Sequence, residues 1–188
     1  MSKIIIITGC LASLKSTIAK RLSKDLNILS LQKDTMKEVL GDHIGFQTRE
    51  DNLKLSHATF FMMRHIAEKC IEMNQNIIIE SNFKIDELQV LRESSFLKDV
   101  DILTIFLDGD SRVLYDRYCL RQPQRHSVHT STGLMSYESF HQAKQTYRKE
   151  DSLGKVIRFD TTVFSEDDYQ VLLKYVVDFV SQNVQVNI

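Results

Sequence analysis

The 188-residue sequence predicts an α/β fold built on a parallel sheet, and three observations carry that prediction. Short β-branched runs alternate with stretches of helical periodicity. The first run, Lys3 to Thr8, is apolar without polar alternation, as expected of a central strand buried on both faces. Polar residues then return abruptly just beyond the strands, at the carboxyl edge where parallel sheets gather their ligands.

Taken in order, Gly9 ends the first strand, and Ile18, Ala19 and Leu22 recur at helical spacing within Ser16 to Lys24, so a helix follows directly. A second strand is expected near Asn27 to Leu31, a helix from Thr35, a long helix near Asp51 to Met73, and a third strand over Asn76 to Glu80. Ile85 to Phe96 reads as helix, Asp101 to Leu107 as strand and Ser111 to Leu120 as helix. Val156 to Phe159 is the last strand, before a helix from Glu166. Five parallel strands joined by right-handed crossovers put helices on both faces, and analogy with known doubly wound folds gives an expected order of 2-3-1-4-5. The only proline, Pro123, lies in the polar stretch Arg121 to Gly133, which interrupts the alternation and predicts a small lid at approximately 117–135 of a single domain, 1–188.

Composition narrows the function classes. The 24 Lys and Arg nearly cancel the 25 Asp and Glu, so no global field draws the chain to nucleic acid or lipid, and an anion site has to be local. There is no basic stripe or aromatic platform for a polynucleotide, no apolar stretch long enough to span a bilayer, and no targeting segment. Cys10, Cys70 and Cys119 are widely spaced and lack a CxxC pair, which fits a cytoplasmic protein without a zinc knuckle.

Gly9, Cys10, Leu11, Ala12, Ser13, Leu14, Lys15, Ser16 and Thr17 match the phosphate-loop pattern GxxxxGK[ST] at every fixed position but the sixth, where Leu14 replaces glycine. A loop between a buried strand and a helix points successive N–H groups inward. The helix adds its positive end, Lys15 a point charge and Ser16 a hydroxyl for Mg²⁺. A rival reading makes this an ordinary strand-to-helix turn. Leu14 also leaves room for a nucleotide-binding regulator or pseudokinase with little turnover, since glycine there allows close backbone approach.

Two carboxylates stand at the same sheet edge. Asp34, just past the second strand, could accept a hydroxyl proton or cap the helix from Thr35, and capping is the commoner role for that position. Glu80, at the end of the third strand, could orient Mg²⁺ and its water, or could cap the next helix together with Ser81. Arg112, Arg117, Arg121, Arg125, His126 and His129 crowd one helix and its loop. They form either a lid that neutralises a transferring phosphoryl group or a solvated face answering Asp108, Asp110 and Asp116. The two histidines lack a further metal ligand at good spacing. Arg49, His57, Phe60, Phe61 and Arg64 are candidates for an acceptor pocket, although the two phenylalanines suit a core equally well.

The chain resembles the P-loop kinases that include phage-type polynucleotide 5′-hydroxyl kinases, zeta toxins, chloramphenicol phosphotransferase and uncharacterised bacterial kinases. The resemblance runs through Gly9 to Thr17, Lys33 to Glu38, Ile78 to Phe83, Asp116-Arg117 with Arg121 and Arg125-His126, and Asp160-Thr161-Thr162. It implies a P-loop NTPase fold, ATP and Mg²⁺ as cofactors, Asp34 as base on the hydroxyl of a small-molecule acceptor, and Arg117 and Arg121 on the phosphoryl group. It also places adenine between the helix near Arg117 and the segment at Thr161.

Overall fold

The computed structural model describes residues 2–130, 133–147 and 152–181. Residues 131 and 132 of the expected lid lie outside the described residues. Five strands, β1 (Lys3–Gly9), β2 (Leu29–Gln32), β3 (Ile77–Glu80), β4 (Asp101–Asp108) and β5 (Lys155–Asp160), form one parallel sheet in the order β2-β3-β1-β4-β5. The expected order therefore holds.

The apolar run of β1 serves two cores. Ile5 and Ile7 pack with Ile18, Ala19 and Leu22 of α1 (Lys15–Leu26) and with Tyr169, Leu172 and Val176 of α8 (Glu166–Ser181). Ile4 and Ile6 face the opposite way, onto Phe60 and Met63 of α3 (Arg49–Glu72) and Leu88 and Leu91 of α4 (Ile85–Arg92). All four isoleucines are buried, and each contributes about 1.5–3 kcal/mol by leaving water.

The main departures from the sequence expectation are three boundaries and one helix, each with a physical reason. Asn27 takes a left-handed conformation (φ 52°) as the C-cap of α1, so β2 starts only at Leu29. Helix α2 runs Lys33–Ile44 and not from Thr35, because the Lys33 ammonium turns inward to a buried ion pair with Glu87 of α4. Helix α4 stops at Arg92, where Ser94 donates to the Val90 carbonyl at 2.7 Å and accepts from Arg64 Nε at 2.9 Å. A 3₁₀ turn, Ser95–Leu97, replaces the expected last turn. An unforeseen helix, α7 (Tyr137–Gln145), is nine residues long and buries Phe140 alone, so its amphipathic pattern is confined to a short window with one core anchor.

Helix α5 (Ser111–Arg121) leads into a 3₁₀ turn at Gln122–Gln124 containing Pro123, and then into the short α6 (Ser127–Thr130). This segment docks on α2 and α3. Val128 is buried, its carbonyl accepts from Asn52 Nδ2, and Asn52 Oδ1 in turn accepts from the buried Lys37 ammonium at 2.6 Å.

Candidate functional site

The site forms where β1 gives way to α1. Gly9 has φ 123°, and a Cβ there would lie 2.0 Å from the Leu107 carbonyl oxygen, so glycine is required by the contact with β4. Beyond it, Ser13 Oγ and Lys15 Nζ both donate to the Cys10 carbonyl, the first at 2.8 Å. Ala12 (φ 60°) and Leu14 (φ 64°) are left-handed with Ser13 between them, an alternation that turns neighbouring N–H groups toward one concavity. The N-terminus of α1 opens onto it with no acidic residue of its own in the first turn.

Leu14 thus holds the backbone conformation for which glycine is normally chosen, at a cost of about 1 kcal/mol. Its side chain lines the concavity and packs on the α1/α8 core. We expect Leu14→Gly to raise nucleotide affinity severalfold, since it removes the side chain from the wall and frees the backbone. Lost packing should offset the relieved strain to within about 1 kcal/mol. Calorimetric titration and thermal melts check both, and weaker binding by a folded variant would make Leu14 a working part of a remodelled loop.

A cavity of about 260 Å³ collects the polar groups, with Lys15, Ser16, Asp34, Glu80, Arg117 and Arg121 on its walls. Lys15 is 7% exposed, and burial, with Arg121 adding to it against the pull of Glu80 and Asp34, lowers its ammonium to about 8. Glu80 is also buried, and burial raises its carboxyl above the ordinary value although Lys15 and Ser16 oppose the shift. Ser16 Oγ donates to Glu80 Oε2 at 3.0 Å. A hydroxyl and an under-compensated carboxylate are the hard oxygen donors that suit Mg²⁺. That ion keeps several waters and phosphate oxygens as its other ligands, so it fits a site where no cluster of three His, Cys, Asp or Glu exists among the described residues.

Asp34 lies in the first turn of α2, not before it. Gln32 holds the N-cap position without a side-chain cap bond, so the capping role open to Asp34 on sequence is not the one it takes. Its Oδ2 instead accepts from Arg125 Nη2 at 2.9 Å. Its side chain is 57% exposed, and the partial desolvation that raises the carboxyl is outweighed by His129, Arg125, Lys15 and Arg121, which hold it below its ordinary value. Neither Glu80 nor Ser81 caps α4, whose N-cap position is Lys84.

The basic cluster divides three ways. Arg112 pairs with Asp116 on its own helix at 3.4 Å. Arg125, His126 and His129 answer acids of α2, namely Asp34, Asp42 and Glu38, at 2.9–3.0 Å. Arg121 faces the cavity with a buried Nε that has no hydrogen-bond partner, and no ion pair engages it among the described residues. Arg117 also lines the cavity, yet its Nη1 and Nη2 donate to the Thr161 and Thr162 carbonyls at 2.7 and 3.0 Å. Thr161 is fully buried and its hydroxyl donates to the Asp108 carbonyl, so it meets the site through its backbone.

Sequence reasoning passed over two further groups. Asn82 lines the cavity with an unpartnered Oδ1. The Asp108 carboxylate ties Cys10 Sγ (3.2 Å), the Gly109 N–H (2.8 Å), Lys144 (3.0 Å) and Arg158 into one junction behind the loop. Its position at the end of β4 was the signal that could have found it. Burial and this neighbour push the Cys10 thiol up to about 12, which leaves it protonated. Of the five acceptor-pocket candidates, none lines this cavity: Phe60 is core, Arg64 bonds Ser94, and the exposed His57 meets Phe61 in a tilted ring contact on α3.

No family model and no curated protein matches the chain. Solved structures do resemble it. A candidate kinase from Chloroflexus aurantiacus J-10-fl superposes with a TM-score of 0.79 at 23% identity, covering 96% of both chains. Shikimate kinase from Aquifex aeolicus VF5 superposes at 0.59 with 16% identity over 96% of this chain and 99% of that one. A gluconokinase from Sinorhizobium meliloti 1021 does so at 0.58 with 14% identity over 95% of each. At these identities the likeness establishes the fold, which is that of the P-loop kinases. No helix of the described residues is long and apolar enough to cross a membrane.

Proposed function

We propose that this chain is an ATP-dependent kinase that moves the γ-phosphoryl group to a hydroxyl of a small molecule. The observation that carries the reading is the meeting of Lys15, the Ser16–Glu80 pair, Asp34 and Arg121, which has no ion pair among the described residues, around one cavity at the carboxyl edge of a kinase-like sheet. Kinase neighbours support it at the level of fold. The finer kinship with polynucleotide kinases, zeta toxins and chloramphenicol phosphotransferase rests on the motifs alone; the single domain with its lid at 117–135 rests on chain length and the polar stretch around Pro123, and the cytoplasmic location on the spacing of the cysteines.

Bound Mg²⁺ and ATP supply the transferable group and part of its charge neutralisation. The loop N–H groups from Gly9 to Thr17 and the α1 terminus hold phosphate, and Ser16 with Glu80 holds the metal. Lys15 and Arg121 place positive charge where the transferring group gains negative charge. Arg117, fixed against the Thr161–Thr162 backbone, walls the base. Asp34, ionised and with Oδ1 left open by Arg125, takes the acceptor proton.

Measuring ATP binding and ATP consumption separately tests the reading. A kinase binds Mg·ATP and consumes it steadily only with an acceptor. Binding without turnover across acceptors would favour a nucleotide-sensing regulator, and no binding would remove the phosphate-loop assignment.

A further inference from the structure

Asn52 stands on the first turn of α3, buried and away from the cavity walls, yet its amide joins two other elements. Its Oδ1 accepts from the Lys37 ammonium of α2 at 2.6 Å, and its Nδ2 donates to the Val128 carbonyl of α6. An ammonium only donates and a carbonyl only accepts, so these two partners fix which way the amide faces. Swapping its oxygen and nitrogen would break both bonds at once.

Val128 is the point at which the segment after α5 is fastened. Its side chain is buried on Gly41 of α2, where a Cβ would lie 3.4 Å from Val128 Cγ2. Its N–H donates to His126 Nδ1 at 3.1 Å, which leaves His126 Nε2 to donate to Asp42 Oδ1 at 2.9 Å, and its carbonyl is the one that Asn52 holds. On the same segment Arg125 Nη2 donates to Asp34 Oδ2 at 2.9 Å, and His129 meets Glu38 at 3.0 Å. Arg125 and His129 are two of the four cations that keep the Asp34 carboxyl below its ordinary value, so half of that set rides on a segment anchored through Val128.

We propose that Asn52 is a positioning residue for Asp34: by gripping the Val128 carbonyl it fastens the segment from Arg125 to His129 as a strap across α2, and the strap holds Arg125 on Asp34 Oδ2 with the carboxylate at the cavity wall. What Asp34 does there rests on the kinase reading above; what holds it does not. Asn52 touches neither Asp34 nor the cavity, and it acts through Val128 and Arg125. An amide serving only to join α2 to α3 would affect the melting temperature and leave the Asp34 carboxyl as it is.

Asn52→Asp separates the two bonds. Aspartate still accepts from Lys37 but has nothing to donate to the Val128 carbonyl, so α2 and α3 stay joined while the strap is released. Hydrogen exchange at neutral pH follows the bonded amides of Arg125, Val128 and His129. Carbon NMR follows the titration of the Asp34 carboxyl, assigned with Asp34→Asn. We expect those amides to exchange about tenfold faster or more, with the sheet unchanged, and the carboxyl to titrate higher by about 0.5 or more as Arg125 and His129 withdraw. Val128→Ala loosens the same anchor without adding charge and should give both changes in smaller measure; it decides alone if Asn52→Asp does not fold. Arg125→Met should raise the titration, and Arg125→Lys should restore most of it. A folded Asn52→Asp or Val128→Ala that keeps the native exchange of the segment, or the native titration of Asp34, overturns the proposal and leaves the kinase reading standing. Calorimetry with Mg·ATP runs in parallel: a protein whose Asp34 responds in this way but that binds no Mg·ATP keeps the strap and loses the kinase reading.

Discussion

Replacing Lys15 by Met should reduce ATP affinity and phosphoryl transfer by about a hundredfold or more while making the nucleotide-free protein more stable. The two effects have one origin. Lys15 is held in a buried, desolvated position whose charge awaits a polyphosphate, and its ammonium is lowered from 10.5 to about 8. A lysine whose folded value is lowered binds fewer protons folded than unfolded between those two values, so stability rises with pH through that window and is least below it. The shift corresponds to about 3 kcal/mol at neutral pH, as an upper bound. Methionine matches the stem and removes the charge, so the variant should melt higher without nucleotide and lose the stabilisation that ATP gives the native protein. Its gain over the native protein should also shrink above pH 8. Thermal melts across pH, with and without Mg·ATP, read both effects; equal ATP affinity in the two proteins would sink the assignment.

Asp34→Asn carries the second large effect. Asparagine keeps the size of the side chain and can still accept from Arg125 at Oδ1, so stability should change by less than about 1 kcal/mol for a pair this exposed. Transfer to the acceptor should nevertheless fall by roughly a hundredfold or more, because the proton acceptor is gone. The cations around Asp34 hold its carboxyl below 3.8, so an acid limb due to this group belongs below that value and not near neutrality. Steady-state rates of both proteins decide the matter. Near-normal transfer by the variant would make Asp34 a latch for the segment at Arg125, with Glu80 next in line as base.

Much of the fold was legible because its signals are local. An unbroken isoleucine run reads as a doubly buried strand, and the Gly9 to Thr17 spacing reads as a phosphate loop wherever it follows one. Helix α7 was not legible, since its nine residues anchor on Phe140 alone and give too short a window to stand out from the polar segment around it. Nor was the start of α2, where a charged residue, Lys33, goes inward because Glu87, 54 positions away, meets it there.

The sequence by itself determined the strands, their alternation with helices and the loop that turns amides toward a phosphate, since these follow from residue type and spacing within short windows, while the strand order came from the likeness to P-loop kinases. Only the tertiary structure took Asp34 out of the helix cap and onto Arg125, divided the basic cluster among α2, Asp116 and the cavity, and left Arg121 Nε and Asn82 Oδ1 at the cavity without partners among the described residues. Those outcomes depend on which charges from distant segments meet. Attraction and desolvation act between groups close in space, at separations that spacing along the chain does not encode.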